Sequence, residues 1–445
     1  MLIRLIRFCS LFVLLASDSR GAQAEPAEEL PNIVIFLADD LGWNDIGYHN
    51  PEIRTPNLDQ LASESVVLDH YYVQPECTPT RVALLTGRYP NRFGEHCSHA
   101  SNERALPPGT LTLASALQSV GYDTGLFGKW HLGSRPEWGP QHYGFEYSYG
   151  SLPGAVGMYD HRYRLNNPFT QAWHRNGQFI EDEQGHATDL IVREVVDWLN
   201  RPRTGPYFLY VPFHAVHTPL VEPQSWLDHN RHIESADRRL FAAAVSHLDD
   251  AIGKIVAEID KLGPREETLL IFFSDNGAQV HHAGDTYPPP DPRLRNFSSN
   301  EPLRGRKGQT YEGGIRVPAF VQWKGKLEPG ESDAVMHAID WLPTLSGLVG
   351  HETESDPNWD GLDVWPQIEG GPQTEPRLLY WNRGNHQLAL RDGDWKIARQ
   401  RPNDPWSLFN LADDPYEKEN VAAEMPEKVQ QLEEQLRAER AKDGE

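Results

Sequence analysis

Four stretches of the chain are apolar without interruption over the length of a strand, and each ends abruptly in polar side chains. NIVIFLADD (Asn32 to Asp40) ends in two aspartates, and DTGLFGKWH (Asp123 to His131) in Lys129 and His131. PYFLYVPFHAVHTP (Pro206 to Pro219) ends in His214 and His217, and TLLIFFSDNG (Thr268 to Gly277) in Asp275 and Asn276. Alternating strands bury one face; strands this uniformly apolar are covered on both, as in a parallel sheet with helices on each side. Asp237 to Leu262 supplies such a helix, with Leu240, Phe241, Ala244, Leu248, Ile252, Ile255, Ile259 and Leu262 on one stripe and Gly263-Pro264 as its stop. The pattern predicts a doubly wound α/β fold, a large and mostly parallel sheet sandwiched by helices. In that fold ligands sit outside the carboxyl ends of the strands, so polar clusters far apart in sequence are expected to meet in one site.

Beyond about Val349 the pattern changes. HETESDPNWDG reads as a linker, while LLYWN, HQLALRDGDWKIARQ and WSLFNL read as short strands of a smaller antiparallel sheet. Met425 to Arg440 reads as an amphipathic helix with Val429, Leu432 and Leu436 on one face. The expected division is a leader over 1–24, a catalytic domain over 25–349 and a C-terminal subdomain over 350–445.

The leader, MLIRLIRFCSLFVLLASDSRGAQA, has a basic start at Arg4 and Arg7, an apolar stretch from Phe8 to Ala16, and small residues at Ala22 and Ala24. This is a secretory signal cleaved near Ala24, too short for a membrane anchor. Cys9 is lost with it, leaving Cys77 and Cys97. A disulfide between these two would suit an oxidising compartment, although a secreted protein held by bridges carries more cysteines. The formal net charge is −23, and removing the three Arg and one Asp of the leader, a net +2, leaves −25. Such a surface argues against nucleic acid and other polyanions as non-specific partners. An anionic ligand has to be gripped by positive charge confined to a pocket.

Taken singly, the polar clusters have ordinary structural readings: an Asp pair caps a helix, Asp-Asn-Gly makes a turn, a Lys or His after a strand is solvated. Their common placement changes the balance. Asp39, Asp40, Asp275 and Asn276 offer hard oxygen ligands, which suit Ca²⁺ or Mg²⁺ better than zinc. Arg81, Lys129, His131, His217 and Lys307 are cationic or proton-carrying. Beside a divalent metal they form a device for gripping a small tetrahedral oxyanion and stabilising charge as a bond to it breaks. In CTPTR (Cys77 to Arg81), Pro79 suits the first turn of a helix through RVALLTG. Cys77 then lies near a helix N-terminus, where backbone N–H groups favour anions.

CTPTR with its extension ALLTGRYP, GKWHLG (Gly128 to Gly133), PNIVIFLADDLGWNDIG, VHTPL, FFSDNG, LRGRKGQTYEGGIRVP and AIDWLPTLSGLVG are spread over nearly the whole mature chain. On these blocks it resembles the type I sulfatases, the arylsulfatase-like branch of the alkaline phosphatase superfamily. WNDIG, GKWHLG and VHTPL are most similar to the N-acetylgalactosamine-4-sulfatase (arylsulfatase B-like) group. The resemblance implies an alkaline-phosphatase-like fold and oxidation of Cys77 to Cα-formylglycine by a separate formylglycine-generating enzyme. It implies Ca²⁺ held by Asp39, Asp40, Asp275 and Asn276 with an oxygen of modified Cys77. Arg81 would hold the hydrated aldehyde, and Lys129 and Lys307 the sulfate oxygens. His217, with Lys307 sharing the task, would protonate the leaving alcohol, and His131 would be the base that lets sulfate depart; sequence leaves the two histidine roles interchangeable.

The residues that read the sugar lie outside these blocks, in Gly150 to Arg175 and in the insertion HHAGDTYPPPDPRLRNFSSNEP, expected as an ordered rim loop. His161, His281 and Arg304 are candidate sugar contacts, as are Trp381, Asn382 and Arg383 of the C-terminal sheet. The expected substrate is N-acetylgalactosamine 4-sulfate in glycosaminoglycans, or a sulfated algal galactan or fucan. The few cysteines and the single sequon Asn296-Phe297-Ser298 point to a bacterial periplasmic or exported protein. Two other readings stay open: a phosphonate monoester hydrolase or phosphodiesterase of the same superfamily, and a non-catalytic protein that binds sulfated glycan.

Overall fold

Each of the four apolar runs contains a strand that ends at, or just before, its polar residues. The computed structural model describes residues 30–164, 171–287, 291–352, 358–373 and 375–444. Its main sheet consists of β1 (Asn32–Ala38), β2 (Val66–Leu68), β3 (Asp123–Lys129), β4 (Tyr147–Ser151), β5 (Trp173–Arg175), β6 (Gln178–Phe179), β7 (Tyr207–Pro212), β8 (Thr268–Ser274), β9 (Ala319–Trp323) and β10 (Gly330–Ser332). The order is β10-β2-β9-β8-β1-β7-β3-β4-β5-β6. The central strands β8, β1, β7, β3 and β4 run parallel, and antiparallel pairs flank them on both sides. Ala38 pairs with Ser274 and Leu37 with Pro212. Asp39, Asp275 and the segment after Pro212 therefore leave the sheet at one level.

Both faces are covered, as uninterrupted apolarity requires. On β1, Ile33, Ile35 and Leu37 pack with residues of α1 (Cys77–Thr86), whereas Val34, Phe36 and Ala38 pack with α2 (Ala187–Leu199) and α3 (Ala236–Leu262). The expected stripe on α3 is buried from Phe241 to Ile259; Leu240 is half-buried at its start, and Leu262 is 49% exposed at its end. Gly128 sits where β3 meets β7: a Cβ there would lie 1.9 Å from the Pro212 carbonyl oxygen, so glycine permits the close approach just before Lys129.

The C-terminal sheet is antiparallel and four-stranded: Leu378–Arg383, Gln387–Asp392, Trp395–Arg399 and Ser407–Asn410. HQLALRDGDWKIARQ is two of these strands, turned at Gly393, whose φ is +58°. The helix Pro426–Arg440 covers the sheet with Leu432 and Leu436. Buried Lys396 ties it to the body through Glu312 at 2.7 Å and also pairs within the C-terminal part with Glu417 at 2.8 Å. Trp381 Nε1 donates to the Val73 carbonyl at 2.9 Å.

The leader, Cys9 and the cleavage site near Ala24 lie outside the described residues, as does part of the linker. No helix of the described residues is long and apolar enough to cross a membrane. The disulfide considered between Cys77 and Cys97 is absent: both are free and buried, and Cys97 Sγ donates to the Ala105 carbonyl at 2.9 Å.

Candidate active site

Cys77 is the first residue of α1, and the strand ends deliver their polar groups around it. Arg81, one turn on, is fully buried; its Nη1 donates to the Lys129 carbonyl at 2.7 Å and its Nη2 to Asp275 Oδ2 at 2.8 Å. Lys129 Nζ donates to Asp39 Oδ2 at 2.6 Å. Lys307 Nζ reaches Asp40 Oδ1 at 2.7 Å and Oδ2 at 2.9 Å. Asn276 Nδ2 donates to Asp40 Oδ1 at 2.7 Å, and the Asp40 N–H to Asp275 Oδ1 at 3.2 Å. Asp40 adopts a left-handed φ of +64°, which Asp tolerates better than most residues. His217 Nε2 is 3.7 Å from Asp40 Oδ2 while its Nδ1 is bonded to the Thr218 carbonyl. With a carbonyl as partner, Nδ1 carries the hydrogen and Nε2 is left with its lone pair. His131 lies against Gly154, where a Cβ would come within 2.2 Å of Nε2.

Three carboxylates (Asp39, Asp40, Asp275) face three cations (Arg81, Lys129, Lys307), so the resting pocket is close to neutral. Burial, then Asp275, raises Asp39 to about 7 against the pull of Lys129. Burial also acts to raise Asp40, but Lys307 and His217 overcome it and hold Asp40 at about 2. Burial works against the Lys307 charge, yet Asp40 keeps Lys307 protonated well past its ordinary range. Burial and then Lys307 lower His217 to about 3, and burial with Lys129 and Arg81 takes His131 well below its ordinary value. Both imidazoles are neutral.

The donor set fits a divalent cation. Asp39 Oδ1 and Asn276 Oδ1 are buried with no hydrogen-bond partner, an omission that costs about 1–3 kcal/mol per group if nothing else binds there. Asp39, Cys77 and Asp275 bring ligand atoms within 4.8 Å of one another, as do Asp39, Asp40 and His217. Hard oxygens dominate, as Ca²⁺ prefers. A second group, His186, Asp189 and His247, is satisfied internally. His247 bonds Glu222 at 2.8 Å and Asp189 at 3.2 Å, and these two carboxylates outweigh burial and raise it to about 9.

The catalytic and metal candidates thus meet in one pocket, but the sugar candidates separate. Arg383 reaches the site: its Nη2 donates to Glu76 Oε1 at 2.6 Å, and its guanidinium carbon lies 3.6 Å from where a Cβ on Gly308 would stand. His161 is buried, packs on Trp173 at 4.8 Å and bonds the Gly185 carbonyl. Arg304 bonds the Glu417 carbonyl at 2.8 Å and stacks on Tyr311. Trp381 is core, and Asn382 bonds Asn385 and Asp443. In the insertion His281 is exposed, whereas its neighbour His282 faces inward to Asp291 and to Thr218 Oγ1 at 3.3 Å. Glu76, Thr78, Asn102 and Gly154 also shape the pocket. Adjacency to Cys77 is a signal for the first two; nothing local in the sequence marks the others.

The Sulfatase family model matches residues 31–351. Among curated proteins, mouse (Mus musculus) arylsulfatase J is 35% identical over 400 residues, covering 86% of this chain and 64% of its own length. Mouse N-acetylgalactosamine-6-sulfatase is 32% identical over 431 residues, covering 92% and 80%. Among solved structures, Ps i-CgsB in complex with k-i-k-neocarrahexaose superposes with a TM-score of 0.82 at 29% identity, covering 94% of both chains.

Proposed function

The chain belongs to the sulfatase family of sulfuric ester hydrolases, and from that premise we propose that it is a secreted enzyme hydrolysing sulfate monoesters of a sulfated carbohydrate in the Cys77 pocket. The observation that carries this reading is the charge count. Three buried carboxylates balance the two buried cations Arg81 and Lys129 and the half-buried Lys307, so a divalent cation leaves the pocket about two charges positive. That excess suits an ester of charge −1 and a sulfate product of charge −2. A thiol at position 77 is a poor nucleophile, because burial pushes it up to about 11 despite Lys129 and Lys307; this supports its conversion to formylglycine by a maturation enzyme.

Formylglycine at position 77, once hydrated, would supply the attacking hydroxyl, and Ca²⁺, which Asp39, Asp40, Asp275 and Asn276 would hold, would supply Lewis-acid chemistry. The chain's own groups do the rest. Arg81, pinned by Asp275 and the Lys129 carbonyl, fixes the side chain one turn before it. Lys129 and Lys307 present ammonium groups to the anion. Lys307 holds its proton firmly, whereas His217 gains basicity only when an anion enters; together they deliver a proton to the leaving oxygen. Neutral His131, packed on Gly154, is the base for the second half of the reaction. The galactosamine-sulfatase relatives and the neocarrahexaose complex support a sulfated galactosamine or algal galactan as substrate. The basic start, apolar stretch and small residues of positions 1–24 support export, and the net charge of −23 argues against a nucleic-acid partner.

The test is sulfate release from N-acetylgalactosamine 4- and 6-sulfates and sulfated galactan oligosaccharides, run beside phosphate diesters with protein co-expressed with a formylglycine-generating enzyme. Sulfate release from one saccharide is expected. Faster diester cleavage would make the chain a phosphodiesterase, and saturable glycan binding with no release would make it a binding protein.

A further inference from the structure

Two tyrosines from separate loops meet at the mouth of the pocket, and each loop is anchored to a different side of it. On the Cys77 side, Thr78 Oγ1 donates to the Ser101 carbonyl at 3.3 Å and the His131 carbonyl at 3.2 Å, and accepts from the Ser101 N–H at 3.1 Å. Asn102, next in the chain, accepts from the Gly154 N–H at 2.9 Å and donates through Nδ2 to the Tyr163 hydroxyl. On the His217 side, the insertion is held by His282, which pairs with Asp291 and bonds Thr218. Asp291 in turn accepts from the Thr286 N–H at 3.0 Å, one residue before Tyr287. The rings of Tyr163 and Tyr287 stand 6.1 Å apart at 47°, both half-buried. Tyr287 is close enough to the centre for its phenol to sense Lys307 and Cys77, and burial keeps it neutral. It adds no charge that would repel an anion.

Arg164 completes the arrangement. Its guanidinium lies 4.9 Å over the Tyr163 ring, its side chain is exposed, and it has no carboxylate partner among the described residues. Arg162, two positions earlier, is by contrast held by Asp160 at 3.2 Å. In a chain of net charge −23, a stacked cation left open at the rim is a planar donor for a carboxylate or sulfate.

We propose that Tyr163 and Tyr287 form the platform for the sugar ring bearing the scissile sulfate, and that Arg164 binds a second anionic group on the neighbouring sugar. The substrate class is then a polyanionic glycan, read over at least two units. This rests on the proposed sulfatase reaction and specifies its substrate. The apolar face of a pyranose suits an amphipathic ring with a hydroxyl at its edge, and one charge-assisted contact at the rim accounts for about a tenfold preference.

The experiment compares kcat/KM for a monosulfated galactosamine or galactose with that for the disaccharide whose adjacent unit carries a uronate or sulfate. Wild type is set against Arg164→Ala and Tyr287→Ala. Arg164→Ala is expected to lose about tenfold more on the disaccharide than on the monosaccharide, and Tyr287→Ala to raise KM about tenfold on both. Equal losses for Arg164→Ala on the two substrates, or an unaltered KM in Tyr287→Ala, overturn the subsite while leaving the sulfatase reading intact. No release by wild type from either overturns that reading and the subsite with it.

Discussion

Binding of Ca²⁺ to the metal-free pocket should expel a proton from Asp39, and the amount is set by the site. Asp39 is fully buried, faces Asp275 and Asp40, and has Lys129 and Arg81 as nearby cations; the balance raises it from 3.8 to about 7. The metal-free carboxyl is then about 0.9 protonated at pH 6 and about 0.1 at pH 8. Asp40, held at about 2, is ionised throughout, and His217 at about 3 is neutral throughout. Glu417 titrates near 7 as well, but it bonds Lys396 and the Glu312 N–H, not the pocket. The Cys77 thiol, at about 11, could release its own proton to a metal, so the measurement uses Cys77→Ala. Calorimetric titration of Ca²⁺ in two buffers of different ionisation enthalpy gives the protons released. About 0.9 is expected at pH 6, falling to about 0.1 at pH 8. The sign carries into stability: a carboxyl raised on folding stabilises most below its unfolded value, and that contribution is lost as pH rises through the folded one. The metal-free protein should therefore lose up to roughly 4 kcal/mol between pH 4 and 7 through Asp39, and saturating Ca²⁺ should abolish that slope. A release that is equal at both pH values, or zero at pH 6, would refute the placement of the metal against Asp39.

Three further outcomes follow from the same geometry. Lys307→Ala removes the proton-bearing partner of Asp40 and should lower kcat by about 10²–10³ on a saccharide sulfate, with far-UV circular dichroism unaltered; full activity would exclude Lys307 from the chemistry. Gly154→Ala places a methyl group where the His131 ring lies, 2.2 Å from Nε2, so it should cost kcat while the fold survives, read by steady-state rates and melting temperature together. Lys396→Met leaves Glu312 and Glu417 without their shared cation, and urea unfolding should show a loss of about 3–5 kcal/mol; an undiminished midpoint would mean the C-terminal sheet is not secured through this cluster.

The sheet and the strand-end clusters were legible because they depend on local signals. NIVIFLADD and TLLIFFSDNG show uninterrupted apolarity and then ligands, and neighbouring parallel strands in register can only bring those ends together. Cys77 was legible for a similar reason, since Pro79 and the run behind it mark a helix start. The rim was not. His281 and His282 are adjacent in sequence, and only the hairpin pairing of His281 with Arg295 and His282 with Leu294 decides which one faces inward. Arg304, a candidate sugar contact in the sequence, is instead held by the Tyr311 ring and the Glu417 carbonyl. Glycine at 154 and Asn102 carry no chemistry of their own; their importance lies in what they touch, which depends on tertiary contacts.

The most direct test of the account is the dependence of sulfate release on the state of residue 77. Preparations with graded conversion of Cys77 to formylglycine, quantified by mass spectrometry of the active-site peptide, would be assayed on one defined sulfated saccharide beside Cys77→Ala. The account predicts a rate proportional to conversion that extrapolates to zero. Sulfate release by Cys77→Ala, or by wholly unconverted protein, would contradict it.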